Sequence, residues 1–341
     1  MPSRRSRRII KAAIFILLAI ILLIPIAITF TIGWRPITGA NYRSLTDRKF
    51  EPSSARAERG KYLTEAIMGC FDCHSERDWN SPGAPMIQAR MGAGRVWAVD
   101  GMPWLVSSNI TPDRETGAGT WSDDMLARAI REGIGHDGRA LFPLMPYQNY
   151  RQMSDEDLAS VIVYLRSIAA VTNPLPKTEI PFPLSRLIQS APQPVTEPVA
   201  TPDLSDIVKR GAYLARMAGC ADCHTPQDRG QPIPGLDFAG GFVLQSPRGV
   251  VASTNITQSS SGIPYYDEAL FLSMMRTGRV GAREISPVMP WVFYRDMTEE
   301  DMKSIFAYLK TLKPVNHQVD NTEPPTYCKL CKQNHGLGDR N

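Results

Sequence analysis

Cys70-Phe71-Asp72-Cys73-His74 is one of two pentapeptides of the same form in the chain, the other being Cys220-Ala221-Asp222-Cys223-His224. Two thiols three positions apart, with a histidine directly after the second, match the attachment signal for a c-type haem. The spacing has a physical reason. The thiols reach the two vinyl groups of one porphyrin as thioethers, and the adjacent imidazole is then placed beneath the ring to ligate iron. A C-x-x-C pair alone also serves as a redox dithiol or as half a zinc site. Here the histidine follows immediately both times and the two copies sit in matching context. The expectation is two covalently bound haem c groups, attached through Cys70, Cys73, Cys220 and Cys223, with His74 and His224 as axial ligands of the irons.

Outward from these motifs the chain repeats itself. Arg59-Gly60-Lys61-Tyr62-Leu63 returns as Arg210-Gly211-Ala212-Tyr213-Leu214, Asn109-Ile110-Thr111 as Asn255-Ile256-Thr257, Arg131-Glu132-Gly133 as Arg276-Thr277-Gly278, and Met145-Pro146 as Met289-Pro290. Self-similarity at a nearly constant offset marks one module written twice. Each copy closes with a capping-box signature, Ser154 with Asp157 and Thr298 with Asp301, followed by an apolar stripe at helical spacing: Leu158, Val161, Ile162, Leu165, then Met302, Ile305, Phe306, Leu309. The segments before the cysteines, 57–69 and 206–219, show the same periodicity, while the Gly/Pro-rich middle of each copy lacks strand alternation. The fold class expected is all-α, with long loops.

An electron-transferring iron needs a second axial ligand, and a thioether there raises its reduction potential. Met145 and Met289 fit, because each stands in a Pro-x-Met-Pro sequence whose prolines hold an extended loop able to present sulfur. The other methionines read as core filler. His136, in Gly135-His136-Asp137-Gly138, reads as a surface turn, and Arg139 and Arg283 as propionate partners or exposed cations.

The formal net charge is +4, but Arg4, Arg5, Arg7, Arg8 and Lys11 contribute five of the positive charges, so the remainder stands at −1 (+4 − 5). That balance excludes nucleic acid as a partner, which requires a basic stripe on the folded part. Residues 12–34 carry no charge and are long enough to span a bilayer; with the basic segment 1–11 kept cytoplasmic, everything after Trp34 lies outside, in the periplasm of a bacterial inner membrane. A cleaved signal peptide is the alternative, with no clear small-residue cleavage site to support it. The boundaries read as a basic segment 1–11, anchor 12–34, first module 55–171, connector 172–205, second module 206–314 and tail 315–341. The connector holds eight prolines in 34 residues, which excludes regular helix, and its apolar positions (Ile180, Phe182, Leu184, Leu187, Ile188) suggest packing across both modules.

In the tail, Cys328-Lys329-Leu330-Cys331 lacks the adjacent histidine. A disulfide is the mundane reading in an oxidising compartment, although the loop is short. A metal site from Cys328, Cys331 and His335 would want a fourth ligand such as His317. A third haem would have Lys332 in the ligand position, without a helix–loop–methionine module after it.

The run Asn109-Ile110-Thr111-Pro112, Trp121-Ser122-Asp123, Arg131-Glu132-Gly133, Met145-Pro146-Tyr147 and Ser154-Asp155-Glu156-Asp157-Leu158 resembles the cytochrome c subunits of membrane-bound alcohol, gluconate and aldehyde dehydrogenases. The resemblance covers 55–170 and 206–313. It implies two tandem class I cytochrome c domains with His/Met ligation, passing single electrons from a periplasmic dehydrogenase to quinone, an oxidase or a soluble cytochrome. Those subunits usually carry three haem modules, whereas this chain has two plus the anchor, and Tyr266-Asp267 stands where the first copy has Trp121-Ser122. The chain is then an electron carrier, or a dedicated subunit of a larger dehydrogenase, without substrate chemistry of its own. A di-haem peroxidase is the enzymatic alternative; it needs an open iron position and acid–base help, and both copies here offer a sulfur.

Overall fold

The computed structural model describes residues 4–98 and 101–336. Residues 1–3 of the basic segment, the side chains of Arg4, Arg5 and Arg7, and residues 337–341 of the tail lie outside the described residues. The apolar run forms one helix, Arg4–Phe30, long and apolar enough from Arg8 onward to cross a membrane and not buried by the rest of the chain. Pro25 is accommodated within it, and Thr29 Oγ1 donates to the Pro25 carbonyl at 2.8 Å. The span expected to reach Trp34 is shorter, because the helix ends at Phe30 and Gly33 takes a φ of +69° before the separate turn Arg35–Thr38.

The remaining chain is predominantly helical and is organised by the repeat. In each copy a lead helix, Ser54–Tyr62 or Ile207–Met217, crosses a closing helix, Asp155–Ser167 or Glu299–Leu309. The crossing is close enough to demand glycine. A Cβ on Gly60 would stand 2.0 Å from the Ser160 carbonyl oxygen, and one on Gly211 1.8 Å from that of Ser304. Both closing helices bury the expected stripe, Leu158 to Leu165 and Met302 to Leu309, in one continuous apolar core shared by the two copies. Burial of that stripe is the main stabilising contribution to each copy, at roughly 1.5–3 kcal/mol per large apolar side chain.

The lead helices differ by one residue. Arg59 precedes Cys70 by eleven positions and Arg210 precedes Cys220 by ten. The first lead helix continues through a π-helical turn, Leu63–Ile67, and the second has no such turn. A π turn absorbs a single inserted residue within a helix, so the arginine and the cysteine keep the same relation in both copies.

Ser154 and Thr298 cap the closing helices as anticipated, accepting from Asp157 N at 3.1 Å and Asp301 N at 3.2 Å. The acids do not complete capping boxes. Asp157 pairs with Arg59 at 2.8 Å and Asp301 with Arg210 at 2.6 Å, and a tyrosine from the other copy stands where the box would close. Tyr213 Oη accepts from Ser154 N at 3.2 Å and donates to Asp157 at 2.7 Å. Reciprocally, Tyr62 Oη accepts from Thr298 N at 3.0 Å and donates to Asp301. Each copy thus completes the N-terminus of the other's closing helix, a pseudo-two-fold exchange across the interface.

Two expectations need correction. The all-α class holds for the core, but among the described residues there are five two-stranded antiparallel ribbons, the longest pairing Val243–Ser246 with Gly249–Ala252 in the middle of the second copy. Their β-branched and turn residues pair locally without building a larger sheet. The connector is not devoid of helix, since Leu184–Leu187 forms a turn that packs on Arg35–Thr38, with Gln189 accepting from Ala40 N at 3.1 Å. It is tied to the first copy by Glu179 N to the Trp104 carbonyl (2.9 Å) and Asp155 N to the Val199 carbonyl (2.9 Å). Ile188 is buried, but Phe182 is 83% exposed and contributes nothing to an inter-copy core.

Candidate functional site

Both thiol pairs lie on single helical turns, Cys70–Cys73 and Cys220–His224, each preceded by a left-handed glycine, Gly69 or Gly219. The left-handed residue turns the chain sharply out of the lead helix, which brings both sulfurs of a pair to one side of a short turn. None of the four is joined to another cysteine; all are partly buried, and burial pushes each thiol up to about 12.

The histidines are oriented identically. His74 Nδ1 lies 2.7 Å from the Ser108 carbonyl oxygen and His224 Nδ1 2.6 Å from that of Thr254. A carbonyl oxygen only accepts, so Nδ1 carries the proton and Nε2 presents its lone pair. Burial, the largest influence, lowers both imidazoles below their ordinary value, keeping them neutral as a metal ligand requires. The loop is closed behind each ring by a second bond, Gly94 N to the His74 carbonyl and Gly240 N to the His224 carbonyl, both 2.7 Å.

Met145 and Met289 are partly buried against the common core, in loops closed by Met145 N to Phe142 O (3.1 Å) and Met289 N to Ser286 O (3.0 Å). Each loop runs into a short helix, Tyr147–Tyr150 or Trp291–Tyr294, whose last tyrosine reaches back to the chain just before the cysteines: Tyr150 Oη donates to Met68 O at 3.0 Å and Tyr294 Oη to Ala218 O at 2.7 Å. The donor set fits a haem on its own chemistry: two cysteines on one turn, a neutral imidazole with its tautomer fixed, and a methionine loop tied to the same turn.

The residue pairs between the cysteines add something not anticipated. Asp72 pairs at 2.7 Å with Arg77, whose guanidinium also donates to the Pro287 carbonyl at 2.7 Å, two residues before Met289. Asp222 accepts from Asn149 Nδ2 at 2.7 Å, four residues after Met145. Each thiol turn is therefore bonded to the methionine segment of the other copy. The recurrence of aspartate at 72 and 222 was the available signal, but nothing local distinguishes it from a solvated acid. His136 is exposed and stacks on Trp121 with ring centroids 4.2 Å apart.

In the tail, Cys328 and Cys331 are fully buried and are not joined to each other in this structure. They form a cluster with His317 and His335, discussed below.

The family model for cytochrome c matches residues 208–313. The chain carries a cytochrome c domain. Such a domain holds covalently attached haem c and transfers electrons. The chain is 29% identical over 295 residues to the fructose dehydrogenase cytochrome subunit of Gluconobacter japonicus, covering 81% of this chain and 57% of that protein. It is 29% identical over 281 residues to the gluconate 2-dehydrogenase cytochrome c subunit of Pantoea cypripedii, covering 77% and 60%. A diheme cytochrome c-type protein of Cereibacter sphaeroides is 26% identical over 279 residues, covering 78% of this chain and 89% of that protein. The chain thus spans less than two thirds of the length of the two dehydrogenase subunits.

Proposed function

We propose that this chain is a membrane-anchored, periplasmic cytochrome with two tandem cytochrome c domains, residues 55–171 and 206–314, relaying single electrons between a membrane-bound dehydrogenase and a downstream acceptor. The observation that carries the reading is the duplicated histidine geometry: each imidazole directly follows a Cys-x-x-Cys turn, and its Nδ1 is held on a loop carbonyl, which leaves the Nε2 lone pair available to a metal. Cys70 and Cys73 would hold one haem and Cys220 and Cys223 the other, with His74 and Met145 the residues that would ligate the first iron and His224 and Met289 the second. Bound haem supplies the one-electron iron couple. The Ser108 and Thr254 carbonyls fix the imidazole orientation, and the tyrosine tethers hold the methionine loops. The cross-copy contacts through Asp72–Arg77 and Asp222–Asn149 support a short path between the two sites.

The relatives' dehydrogenase subunits suggest a partner of that kind, and the segment Arg8–Phe30 suits an anchor that holds the chain beside it. Pyridine haemochrome quantitation on the detergent-solubilised protein is expected to give two haems per chain, falling to one in Cys220→Ser/Cys223→Ser. A colourless protein, or one haem in the unaltered chain, would sink the proposal. Recovery of a quinoprotein or flavoprotein with the chain through mild detergent would identify the donor.

A further inference from the structure

The segment after the second closing helix folds back over the cytochrome c domain and buries four side chains together. His317, Cys328, Cys331 and His335 are at most 2% exposed, and one ligand atom from each lies within 4.8 Å of all the others. Cys328 Sγ is 3.4 Å from His317 Nε2, Cys331 Sγ 3.2 Å from His335 Nε2, and the two Nε2 atoms are 3.1 Å apart.

Thiol donation to the two Nε2 atoms accounts for part of this arrangement but not for the approach of the two Nε2 atoms to each other. His317 Nδ1 lies 3.0 Å from the Ala239 carbonyl and His335 Nδ1 3.0 Å from the Gly336 carbonyl. Both Nδ1 atoms therefore donate, and the two Nε2 atoms face each other with lone pairs, which repel unless a proton or a metal ion stands between them; burial, the largest influence, lowers the His317 imidazole below its ordinary value and disfavours the proton. A tetrahedral zinc with its usual bond lengths to nitrogen and sulfur sets edges of about 3.3 Å between nitrogens and about 3.6 Å between nitrogen and sulfur. The observed separations fall within a few tenths of an ångström of these values. Two thiolates and two neutral imidazoles around Zn²⁺ sum to zero charge, which suits a buried site; binding releases two thiol protons to solvent. Four protein ligands leave no open position, as in structural rather than catalytic zinc.

We propose that His317, Cys328, Cys331 and His335 bind one structural zinc ion, which clips residues 315–336 to the loop 236–241 of the cytochrome c domain. The remaining contacts fit this role. Leu236 and Ala239 pack on the two cysteines, and Gly241, at φ +88°, leaves the room the cluster needs, since a Cβ there would stand 2.5 Å from the His317 ring. The same loop presents Gly240 N to the His224 carbonyl, and Asn255 Nδ2 donates to the carbonyls of Val315 (2.8 Å) and His317 (3.3 Å). The clip thus braces the loop behind the second candidate haem histidine, but its existence does not depend on the haem reading.

The test is metal content of the full-length protein, purified in detergent without chelators or a metal-affinity step. Elemental analysis is expected to give one zinc per chain, and X-ray absorption at the zinc edge two sulfur and two nitrogen neighbours. Cys328→Ser and Cys331→Ser should each lower zinc at least tenfold while haem absorbance per chain stays unchanged. Four outcomes overturn the proposal: a zinc-free protein that takes up no Zn²⁺ against a chromophoric chelator, an intact mass showing Cys328 joined to Cys331, a third haem on these cysteines, or zinc with an oxygen-dominated shell. The absorption measurement on unaltered protein decides the matter even where the serine variants fail to fold.

Discussion

The two copies fasten their returning segments in the same places with different chemistry. After the first closing helix, Asn109 donates to the Val171 carbonyl at 2.7 Å, Asn173 donates to the Ala93 carbonyl at 2.8 Å, and Thr178 bonds both backbone groups of Val106. After the second, Asn255 donates to Val315, Asn321 bonds both backbone groups of Ala252, and His317 rather than asparagine satisfies the Ala239 carbonyl. Asn173 needs only its own amide and the packing of the connector. His317 has a second ring nitrogen to dispose of in a buried place, and that nitrogen meets His335, Cys328 and Cys331. The same backbone demand, a buried carbonyl behind the candidate haem histidine, is met in one copy by a self-sufficient side chain and in the other by one that requires a cluster.

The largest effect that can break this symmetry lies at the helix crossings. Gly211→Ala sets a methyl 1.8 Å from the Ser304 carbonyl oxygen, and Gly60→Ala one 2.0 Å from that of Ser160. Overpacking at backbone cannot be relieved by a rotamer change, so each is expected to cost about 3 kcal/mol or more. Because the copies share one core, thermal unfolding followed by circular dichroism should show one lowered transition in either variant. Two separated transitions, with only the altered copy affected, would mean that the copies fold independently.

Next come the exchanged tyrosines. Tyr213→Phe leaves the buried Asp157 and the Ser154 N–H each short of a partner and should cost about 1–3 kcal/mol in denaturant unfolding. Tyr62 is less buried than Tyr213, so water can replace its bonds, and Tyr62→Phe should cost less than half as much. Equal costs would show the pseudo-symmetry to be energetic as well as geometric.

A smaller change tests the fastening itself. Asn173→Ala removes the partner of a fully buried carbonyl and is expected to cost about 1–2 kcal/mol, unaffected by chelator. His317→Ala should lower stability and abolish any chelator sensitivity of the unaltered protein. Smallest of all, Glu156→Gln removes the exposed ion pair to Arg56, at 2.7 Å, and should change stability by no more than about 0.5 kcal/mol, since such pairs are screened and entropically costly.

Much of the architecture was legible in the residues. The capping serine and threonine, the stripes at 158–165 and 302–309, the apolar N-terminal helix and the duplicated thiol–histidine motif are local patterns whose periodicity or spacing reports directly on backbone geometry. The uncharged run continues to Trp34, but the helix itself ends at Phe30, because the break depends on the positive φ of Gly33. The roles of Asp157 and Asp301 were misassigned for a different reason. A capping box is a local pattern, and the tyrosine that replaces it comes from the other copy, more than fifty residues away in one case and more than two hundred in the other.

By itself, then, the sequence determined what each copy is made of: helices of given phase, two thiols and an imidazole on one turn, and a methionine framed by prolines. Only the tertiary structure decided how the copies complete each other, because Tyr62, Tyr213, Asp72 and Asp222 carry no sign of their partners until two helix ends are brought together. It also decided that four scattered side chains, His317, Cys328, Cys331 and His335, converge. Spacing along a chain encodes the contacts within a turn, whereas contacts between segments exist only once burial has made them the cheapest way to satisfy polar groups that water can no longer reach.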